Sequence, residues 1–296
     1  MAPNKNTKKV ILVTGCSAGG IGDAIAQSLA KRGHHVFATA RNPSKIPTAL
    51  SSLPNVTVLA LDVTSPASIT EAVEAVAQHE SQEGHWGLDV LVNNAGNGYN
   101  MPILDLDISQ AQKVYDTNVW GPLRMVQAFS KQLIANKGRI VNVTSTIAFV
   151  NHPWTSTYNS SKAAMTQYSE TLRLELEPFG VSVLTLMPGA VKSQWFQNNH
   201  SAGADWELPE GSRYVPIEET IRRTVDGRAQ PKTMMADDFA ESLVDDILGN
   251  TKPAGGVVYR APMAGFLGML GHHVPQAVTV SSDDLFCYVS CLLADR

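Results

Sequence analysis

Short apolar runs alternate with amphipathic segments along most of the chain, and this alternation restricts the fold more than any other feature. The first run, residues 10–13, contains only Val, Ile and Leu. The segment 21–31 places Ile21, Ile25 and Leu29 on one face of a helix. Strands covered by helices on both faces read as such continuous apolar runs. The alternation therefore predicts βαβ units, a parallel sheet and a single α/β domain.

The predicted elements divide the 296 residues into three parts of one domain, 1–296. Strands are predicted at 10–13, 36–39, 56–61, 88–92, 139–143, 181–186 and 256–259, and helices at 21–31, 66–79, 107–135, 156–177 and 237–248. Residues 194–235 break the pattern, and a long irregular segment in a compact domain is usually a functional lid or is disordered. We expect a cofactor and catalytic core at 8–193, a substrate lid at 194–235, and a last helix, strand and tail at 236–296.

A glycine-rich turn joins the first predicted strand to the first predicted helix. Residues 14–22 read TGCSAGGIG. Glycines let the backbone turn tightly and approach a pyrophosphate, and a helix N-terminus offers free N–H groups to it. The flanking strand and helix favour a dinucleotide site over a merely tight βα turn. The candidate cofactor-binding residues of this loop are Gly15, Ser17, Gly20 and Ile21.

The end of the second predicted strand bears on the choice between NAD(H) and NADP(H). NAD sites usually carry an acid there, about 20 residues after the glycine-rich loop, which holds the ribose 2′-hydroxyl. Ala40 occupies that position and Arg41 follows it. A guanidinium offers paired donors to a 2′-phosphate. Arg41 could instead be a solvated residue that opens a loop, but the missing acid and the added base together favour NADP(H).

Tyr158 and Lys162 lie four residues apart at the start of a predicted helix, so they share one helix face. A nearby ammonium lowers the pKa of a tyrosine from about 10. Such a phenol can act as a general acid or base near neutral pH. Taken alone, a pair at this spacing is more often a surface pair than a catalytic one.

Further polar residues follow strands at their carboxyl ends, where α/β sheets place their ligands. Ser145 follows the fifth predicted strand, and its hydroxyl can hydrogen-bond a carbonyl oxygen. The sequence NNAG at 93–96 ends the fourth strand. Asn118 falls within the long helix predicted at 107–135. Asparagine has a low helix propensity, so its presence there suggests that its side chain contacts the backbone or a water.

Together these motifs resemble a classical short-chain dehydrogenase/reductase. The resemblance is carried by TGCSAGGIG at 14–22, NNAG at 93–96, Ser145, Tyr158 with Lys162, and PGAV at 188–191. Within the family the chain is most similar to fungal and plant NADPH-dependent 1-acyldihydroxyacetone-phosphate reductases, although steroid, retinol and fungal natural-product reductases share much of the pattern. The resemblance implies a doubly wound, Rossmann-type parallel sheet with helices on both faces.

The resemblance also implies catalytic roles. Tyr158 would be the proton donor or acceptor, and Lys162 would lower its pKa and hold the nicotinamide ribose. Ser145 would orient and polarise the carbonyl. Asn118 would anchor a water in a proton relay.

Matching positions imply the rest of the cofactor site. Asp62 would bind the adenine and Asn94 would line the cofactor groove. Val191 and Ser193 would contact the nicotinamide carboxamide. Outside the glycine-rich loop, the expected cofactor residues are Arg41, Asp62, Val63, Asn94, Gly96, Tyr158, Lys162, Val191 and Ser193.

Three departures from the family pattern stand in the chain. The Gly19-Gly20 doublet makes the glycine-rich loop one residue longer than is common, which leaves open which glycine faces the pyrophosphate. Ala148 replaces a usual glycine, and Ser193 replaces a usual threonine. None of the three removes a catalytic group.

Composition excludes several other classes of protein. A net charge of −4 provides no electrostatic basis for binding nucleic acid or an anionic membrane. No run approaches the roughly 20 apolar residues that span a bilayer. Three cysteines form no disulfide framework, and no ligand set accompanies them, so we expect a cytoplasmic protein without a metal site. His34 and His35 are interpreted as surface residues.

Apolar residues gather near the expected substrate mouth. Trp154, Trp195, Trp206 and Met234-Met235 could line a pocket, since pockets are mostly apolar, or could belong to the core. The apolar segment 262–271 could cover the substrate, pack on a second subunit or contact a membrane. The last residues, 274–296, match the family poorly and predict nothing further.

The sequence therefore predicts hydride transfer between NADP(H) and a ketone or aldehyde on a lipophilic or polycyclic small molecule. A homo-oligomer is expected, because dimers and tetramers are usual in the family. Peripheral association with the endoplasmic reticulum or lipid droplets stays an alternative location. The alternative function is a non-redox member of the family, such as a cyclase, isomerase or regulatory partner. The intact Ser145, Tyr158 and Lys162 argue against it.

Overall fold

A computed structural model describes residues 8–83, 87–195, 206–226, 233–250, 255–262 and 264–266. The strands are β1 (Val10–Thr14), β2 (His35–Ala40), β3 (Val56–Ala60), β4 (Val90–Asn93), β5 (Arg139–Val143), β6 (Ser182–Pro188), β7 (Val191–Lys192), β8 (Met234–Met235) and β9 (Gly256–Arg260). The α-helices are α1 (Ile21–Lys31), α2 (Thr48–Ser51), α3 (Pro66–Glu83), α4 (Ile108–Tyr115), α5 (Gly121–Ala135), α6 (Ser156–Leu176), α7 (Glu218–Val225) and α8 (Ala236–Leu248).

Seven strands form one parallel sheet in the order β3-β2-β1-β4-β5-β6-β9. The order reverses between β1 and β4, and α/β sheets bind their ligands at such a switch point, outside the carboxyl ends of the strands. β7 and β8 form a separate parallel pair. The prediction of a doubly wound, Rossmann-type sheet is confirmed.

Helices cover both faces of the sheet, as predicted. Successive residues of β1 point to opposite faces, so Ile11 and Val13 join one apolar layer while Val10 and Leu12 join the other. The first layer packs against α1 and α8, and the second against α3 and α5. This arrangement buries the sheet on both sides and leaves the carboxyl edge of its strands for a site.

The helix predicted at 107–135 is not continuous. A π-helical turn, Asp116–Trp120, separates α4 from α5, and Pro122 stands in the first turn of α5. A π turn places one more residue in each turn than an α-helix does, and such turns are common at functional sites. Asn118 lies in this turn, so the prediction of a mid-helix asparagine was wrong about the helix.

Residues 206–226 and 233–235 are more regular than predicted. They include α7, whose Ile221 and Val225 are buried, and β8, which pairs with β7. The prediction of surface positions for His34 and His35 was also wrong. Both are buried, and the ring of His35 stacks on that of His79 with centroids 3.8 Å apart.

Some predictions fall on residues without a description. The tail 274–296, with Cys287 and Cys291, lies outside the described residues, and of the segment 262–271 only 262 and 264–266 are described. Within the described ranges, no helix is long and apolar enough to cross a membrane, and no group of His, Cys, Asp or Glu side chains could hold a metal.

Candidate active site

The glycine-rich loop presses against the end of β4. A Cβ atom at Gly22 would lie 2.4 Å from Asn94 Nδ2 and 2.5 Å from Gly15 O, which is closer than packed atoms approach. Asn94 Nδ2 donates to Thr14 O at 2.8 Å and to Gly15 O at 3.1 Å. Asn94, which we predicted to line the groove, therefore also ties the loop to the sheet.

The structure separates the roles of the two adjacent glycines. Gly20 has an extended backbone and caps α1 without any side-chain acceptor, so no side chain satisfies the first N–H groups of the helix, beginning at Ile21. Such groups and the helix dipole suit an anionic pyrophosphate. Gly19 has φ +68°, its N–H donates to Asp23 Oδ2 at 2.9 Å, and its carbonyl accepts from Gln194 N at 3.1 Å.

Arg41 follows β2 beside the same loop. It is exposed, and within the described part of the chain its side chain makes no hydrogen bond or ion pair. A short turn, Pro43–Lys45, follows it and accepts a hydrogen bond from Ala18 N at Lys45 O, 2.8 Å away. A free guanidinium at the mouth of the glycine-rich loop fits the 2′-phosphate of NADP(H).

The remaining residues predicted for the adenine half follow β3. Asp62 Oδ1 accepts from Thr64 N at 2.9 Å and from Thr64 Oγ1 at 2.7 Å, which closes a local turn. The side chain of Val63 is buried, and its Cγ2 lies 2.8 Å from where a Cβ at Gly121 would be. The backbone of Val63 is what remains for the cofactor contact that the sequence predicts for this residue. Ser17, in the glycine-rich loop, accepts from Gly20 N at its carbonyl oxygen, 3.1 Å away.

α6 brings Lys162 under the carboxyl end of β5. The side chain is 5% exposed, and Nζ donates to Val143 O at 2.9 Å. Nζ also lies 5.6 Å from the centroid of the Tyr158 ring. Burial disfavours the charged ammonium and lowers the pKa of Lys162 to about 8.

Ser145 faces the phenol of Tyr158 closely enough to act on its pKa. Burial of the phenol raises the pKa of Tyr158 to about 12, and the Ser145 hydroxyl acts in the opposite direction. The expectation that Lys162 lowers the pKa of Tyr158 is therefore not met in this structure. Desolvation outweighs the ammonium, which donates to the Val143 carbonyl instead. Ser145 Oγ also accepts from Ile147 N at 3.3 Å.

Asn118 connects the loop after β4 to α6. Its Oδ1 accepts from Asn97 N at 2.9 Å, and its Nδ2 donates to Asn97 O at 2.8 Å and to Ser161 Oγ at 3.0 Å. A Cβ at Gly96 would lie 3.2 Å from Asn118 Oδ1 and 3.7 Å from Lys162 Nζ. Gly96, Asn118 and Lys162 are thus neighbours, as the cofactor and catalytic predictions require.

The sequence reasoning missed several residues that hold this arrangement. Ser161 Oγ donates to Tyr158 O at 2.8 Å, so it joins Asn118 to the first turn of α6. Beneath the site, Asn93 Nδ2 donates to Asn142 Oδ1 at 2.9 Å, and Asn142 Nδ2 donates to Ser169 Oγ at 2.9 Å. A polar residue inside an otherwise apolar strand is the signal that could have found Asn142.

The tryptophans divide between the core and the site. Trp206 is 4% exposed, packs with Met101 and Ile221, and donates from Nε1 to Asn100 O at 2.8 Å. Trp195 lies beside Tyr158, with ring centroids 5.1 Å apart. Trp154 has φ +68° and packs edge-on against Tyr214, with centroids 5.4 Å apart. Trp206 therefore belongs to a buried core cluster, whereas Trp195 lies beside Tyr158.

The two residues predicted to contact the carboxamide lie at the start of the same segment. Val191 is buried and pairs with Met234. Ser193 Oγ accepts from Trp195 N at 3.4 Å. Residues 193–195, which follow β7, therefore run from the carboxyl edge of the sheet to Tyr158.

Known proteins share both the sequence and the fold. The family model for short chain dehydrogenases matches residues 9–203. The short-chain dehydrogenase ptmH of Penicillium ochrochloron is 46% identical over 259 residues, which cover 88% of this chain and 90% of that protein. The NADPH-dependent 1-acyldihydroxyacetone phosphate reductase of Schizosaccharomyces pombe is 37% identical over 245 residues, covering 82% of this chain and 79% of that protein.

Solved structures agree on the fold. A short-chain dehydrogenase from Streptomyces avermitilis has a TM-score of 0.73 at 26% identity, with 97% of this chain and 98% of that chain covered. A short chain dehydrogenase from Burkholderia cenocepacia, solved in complex with NADP, has a TM-score of 0.68 at 23% identity, with 95% and 96% covered. By its family model, its relatives and its fold, the chain belongs to the short-chain dehydrogenase/reductase family of oxidoreductases.

Proposed function

We propose that this protein is an NADP(H)-dependent reductase that interconverts a ketone or aldehyde and an alcohol, with Tyr158 as the proton donor or acceptor. The observation that carries the proposal is the placement of Tyr158 beside Ser145, with Lys162 buried behind it, at the carboxyl end of β5. Two hydroxyls in contact can both donate to one carbonyl oxygen and so stabilise the negative charge that develops there.

The bound nicotinamide supplies or accepts the hydride, and the chain supplies position and the proton. In the direction of reduction, the Tyr158 hydroxyl gives its proton to the carbonyl oxygen while Ser145 holds that oxygen in place. The high pKa of the buried phenol keeps it protonated at neutral pH, which suits a general acid. Lys162 would hold the nicotinamide ribose, as the family resemblance implies, from its buried position beside Gly96.

Arg41 supports the choice of NADP(H). It has no hydrogen-bond or ion-pair partner among the residues that the structure describes, and the acid that would hold the ribose 2′-hydroxyl of NAD(H) is replaced by Ala40. The S. pombe relative is named for NADPH, and the Burkholderia structure contains NADP. Titration of wild type and Arg41→Ala with NADPH and NADH tests this. We expect the variant to bind NADPH about 30-fold more weakly and NADH unchanged, because a charge-assisted pair is lost.

The substrate is proposed to be a lipophilic or polycyclic carbonyl compound. Tyr99, Trp154, Trp206 and Tyr214 form an apolar cluster with α7. This cluster supports the proposal that the expected lid, of which residues 206–226 belong to the cluster region, covers the substrate. The S. pombe relative is named as a reductase of 1-acyldihydroxyacetone phosphate. Consumption of NADPH with a panel of lipophilic ketones tests the proposal. A protein that binds NADPH but reduces none of them would favour a non-redox role.

We propose that the protein forms a homo-oligomer through the outer face of α4, the π turn and α6. Ile108, Trp120, Tyr168 and Leu174 are large apolar residues exposed on these elements, and the rings of Trp120 and Tyr168 contact each other edge-on, 6.1 Å apart. Light scattering on wild type and Tyr168→Glu tests this. A monomeric wild type would contradict it.

A cytoplasmic location is proposed as well, and flotation with liposomes would detect the alternative of a peripheral membrane protein.

A further inference from the structure

Two consecutive residues after β7 contact both halves of the site. The backbone N–H of Gln194 donates to Gly19 O of the glycine-rich loop at 3.1 Å. A Cβ at Gly19 would lie 2.7 Å from Gln194 Cγ, so the Gln194 side chain rests on that glycine. The next residue, Trp195, lies against Tyr158 with ring centroids 5.1 Å apart. The cofactor loop therefore sets the position of the indole beside the catalytic phenol.

Trp195 differs from Trp206 in its burial and in its neighbours. The Trp206 indole is in the core of the apolar cluster, where its N–H donates to a backbone carbonyl, and this is how a structural tryptophan is usually satisfied. Trp195 is only half-buried, and its ring is inclined at 54° to that of Tyr158. The two rings are therefore neither stacked nor perpendicular, and the indole keeps part of its surface exposed beside Tyr158.

A substrate bound for reaction has little freedom at this point. Its carbonyl oxygen contacts the hydroxyls of Tyr158 and Ser145, so one of the two carbon substituents of the carbonyl lies beside the indole. Large, flat aromatic side chains bind flat rings by offset stacking. The binding free energy of such a pair exceeds that of a contact with a flexible chain of similar area. A flat ring also loses less conformational entropy than an alkyl chain when it is confined.

We propose that Trp195 is a specificity-determining residue, whose indole forms one wall of the substrate site and selects carbonyl compounds borne on a flat, apolar ring system. This inference rests on the proposed reductase function and names its substrate class more narrowly. Gln194 is the positioning residue for the indole, because it anchors the segment on Gly19. Gly19, the first glycine of the doublet, is the residue that Gln194 contacts.

Turnover of two ketones with equal numbers of carbon atoms tests the inference. Wild type, Trp195→Ala and Trp195→Phe would be compared on 2-tetralone, which is a fused ring, and on 2-decanone, which is a flexible chain. We expect Trp195→Ala to raise KM for 2-tetralone about 10-fold and KM for 2-decanone less than 3-fold. KM for NADPH should stay within 2-fold, and Trp195→Phe should keep most of the preference. An equal effect on both ketones would overturn the inference.

A binding measurement separates this inference from the proposed function. Calorimetric titration of 2-naphthol into wild type, Trp195→Ala and the control Trp120→Phe, each with NADP, does not depend on turnover. If neither ketone is reduced but 2-naphthol binds about 10-fold more weakly to Trp195→Ala than to the other two, the wall is supported and the reductase function fails. If all three proteins bind 2-naphthol equally, or none binds it, the wall is refuted whatever the activity.

Discussion

The cofactor side and the substrate side of the site are held together by contacts of different range. On the cofactor side, Gly19 N–H bonds to Asp23, only four residues away, and Gly20 caps the helix that follows it. On the substrate side, Trp206 bonds to Asn100 and Ser212 to Asp105, more than 100 residues away in each case. Local contacts leave a signature in residue spacing, whereas distant ones leave none. The comparison explains why the cofactor loop was easier to predict than the lid.

Tyr158→Phe gives the largest expected effect, because it separates chemistry from cofactor binding. Removing the hydroxyl removes the proton donor, so we expect kcat for reduction to fall about 1,000-fold. The Kd for NADPH should change less than 2-fold, since the glycine-rich loop and Arg41 are untouched. Steady-state kinetics and fluorescence titration measure the two quantities. Tyr168→Phe, on the exposed face of the same helix, is the control, and substantial activity in Tyr158→Phe would reject the assigned role.

Gly22→Ala should break the cofactor side through local geometry. Its Cβ would meet Asn94 Nδ2 at 2.4 Å and Gly15 O at 2.5 Å, so the loop must move away from β4. We expect a loss of about 2–3 kcal/mol in the free energy of unfolding, typical of overpacking, together with weaker binding of NADPH. Gly265→Ala is the matched control, because no atom lies within 4 Å of its added methyl group. Denaturant unfolding should separate the two, and equal stability would show that the loop adapts.

Lys162→Met should abolish activity and raise the free energy of unfolding. Burial lowers the pKa of Lys162 to about 8, so at pH 7 the folded protein carries a charge that its surroundings disfavour. We expect the variant to be inactive but about 2 kcal/mol more stable than wild type at pH 7. Between pH 8 and the ordinary pKa of lysine, the unfolded state binds more protons than the folded state. Wild-type stability therefore rises with pH in this window, and the advantage of the variant shrinks.

Chemical denaturation at pH 7 and pH 9.5 measures this difference. Lys113→Met, on the surface helix α4, is the control for loss of a lysine charge. The same pKa predicts that reduction slows above about pH 8, as Lys162 loses its proton. A less stable variant at pH 7 would mean that the hydrogen bond to Val143 O outweighs the cost of burying the ammonium.

Ile221→Ala gives the smallest expected effect and tests whether the substrate side is a separate unit. Ile221 is a fully buried residue of α7, in the cluster with Trp206 and Met101 and apart from the two layers that cover the sheet. We expect kcat/KM for a lipophilic ketone to fall about 5-fold, with the Kd for NADPH unchanged and global unfolding altered by less than about 1 kcal/mol. Ile25 lies on the buried face of α1, in the apolar layer between that helix and the sheet. Ile25→Ala should therefore lower the free energy of global unfolding by about 3 kcal/mol. If the two substitutions changed the free energy of global unfolding equally, the substrate side would not be a separate unit.

The errors of the sequence analysis share one cause. The His35 ring stacks on that of His79, and the Lys162 ammonium donates to Val143 O. In the π turn, Asn118 bonds to Asn97 and Ser161. Each of these contacts joins segments that are separate in the sequence. Helical periodicity continues through a π turn with little change, so residues 107–135 read as one helix. Tyr158 and Lys162 were paired correctly by spacing, but only the fold decides which atom the ammonium contacts.

By itself, the sequence determined the parallel α/β architecture, the place of the glycine-rich loop and the residues of the catalytic pair, because each depends on periodicity or on spacing within one or two elements. Only the tertiary structure decided which glycine of the doublet caps α1, that Asn118 holds α6 through Ser161, and that Trp195 rather than Trp206 lies beside Tyr158. These outcomes depend on which distant segments pack together, and packing of that kind is a property of the whole fold rather than of any local run of residues.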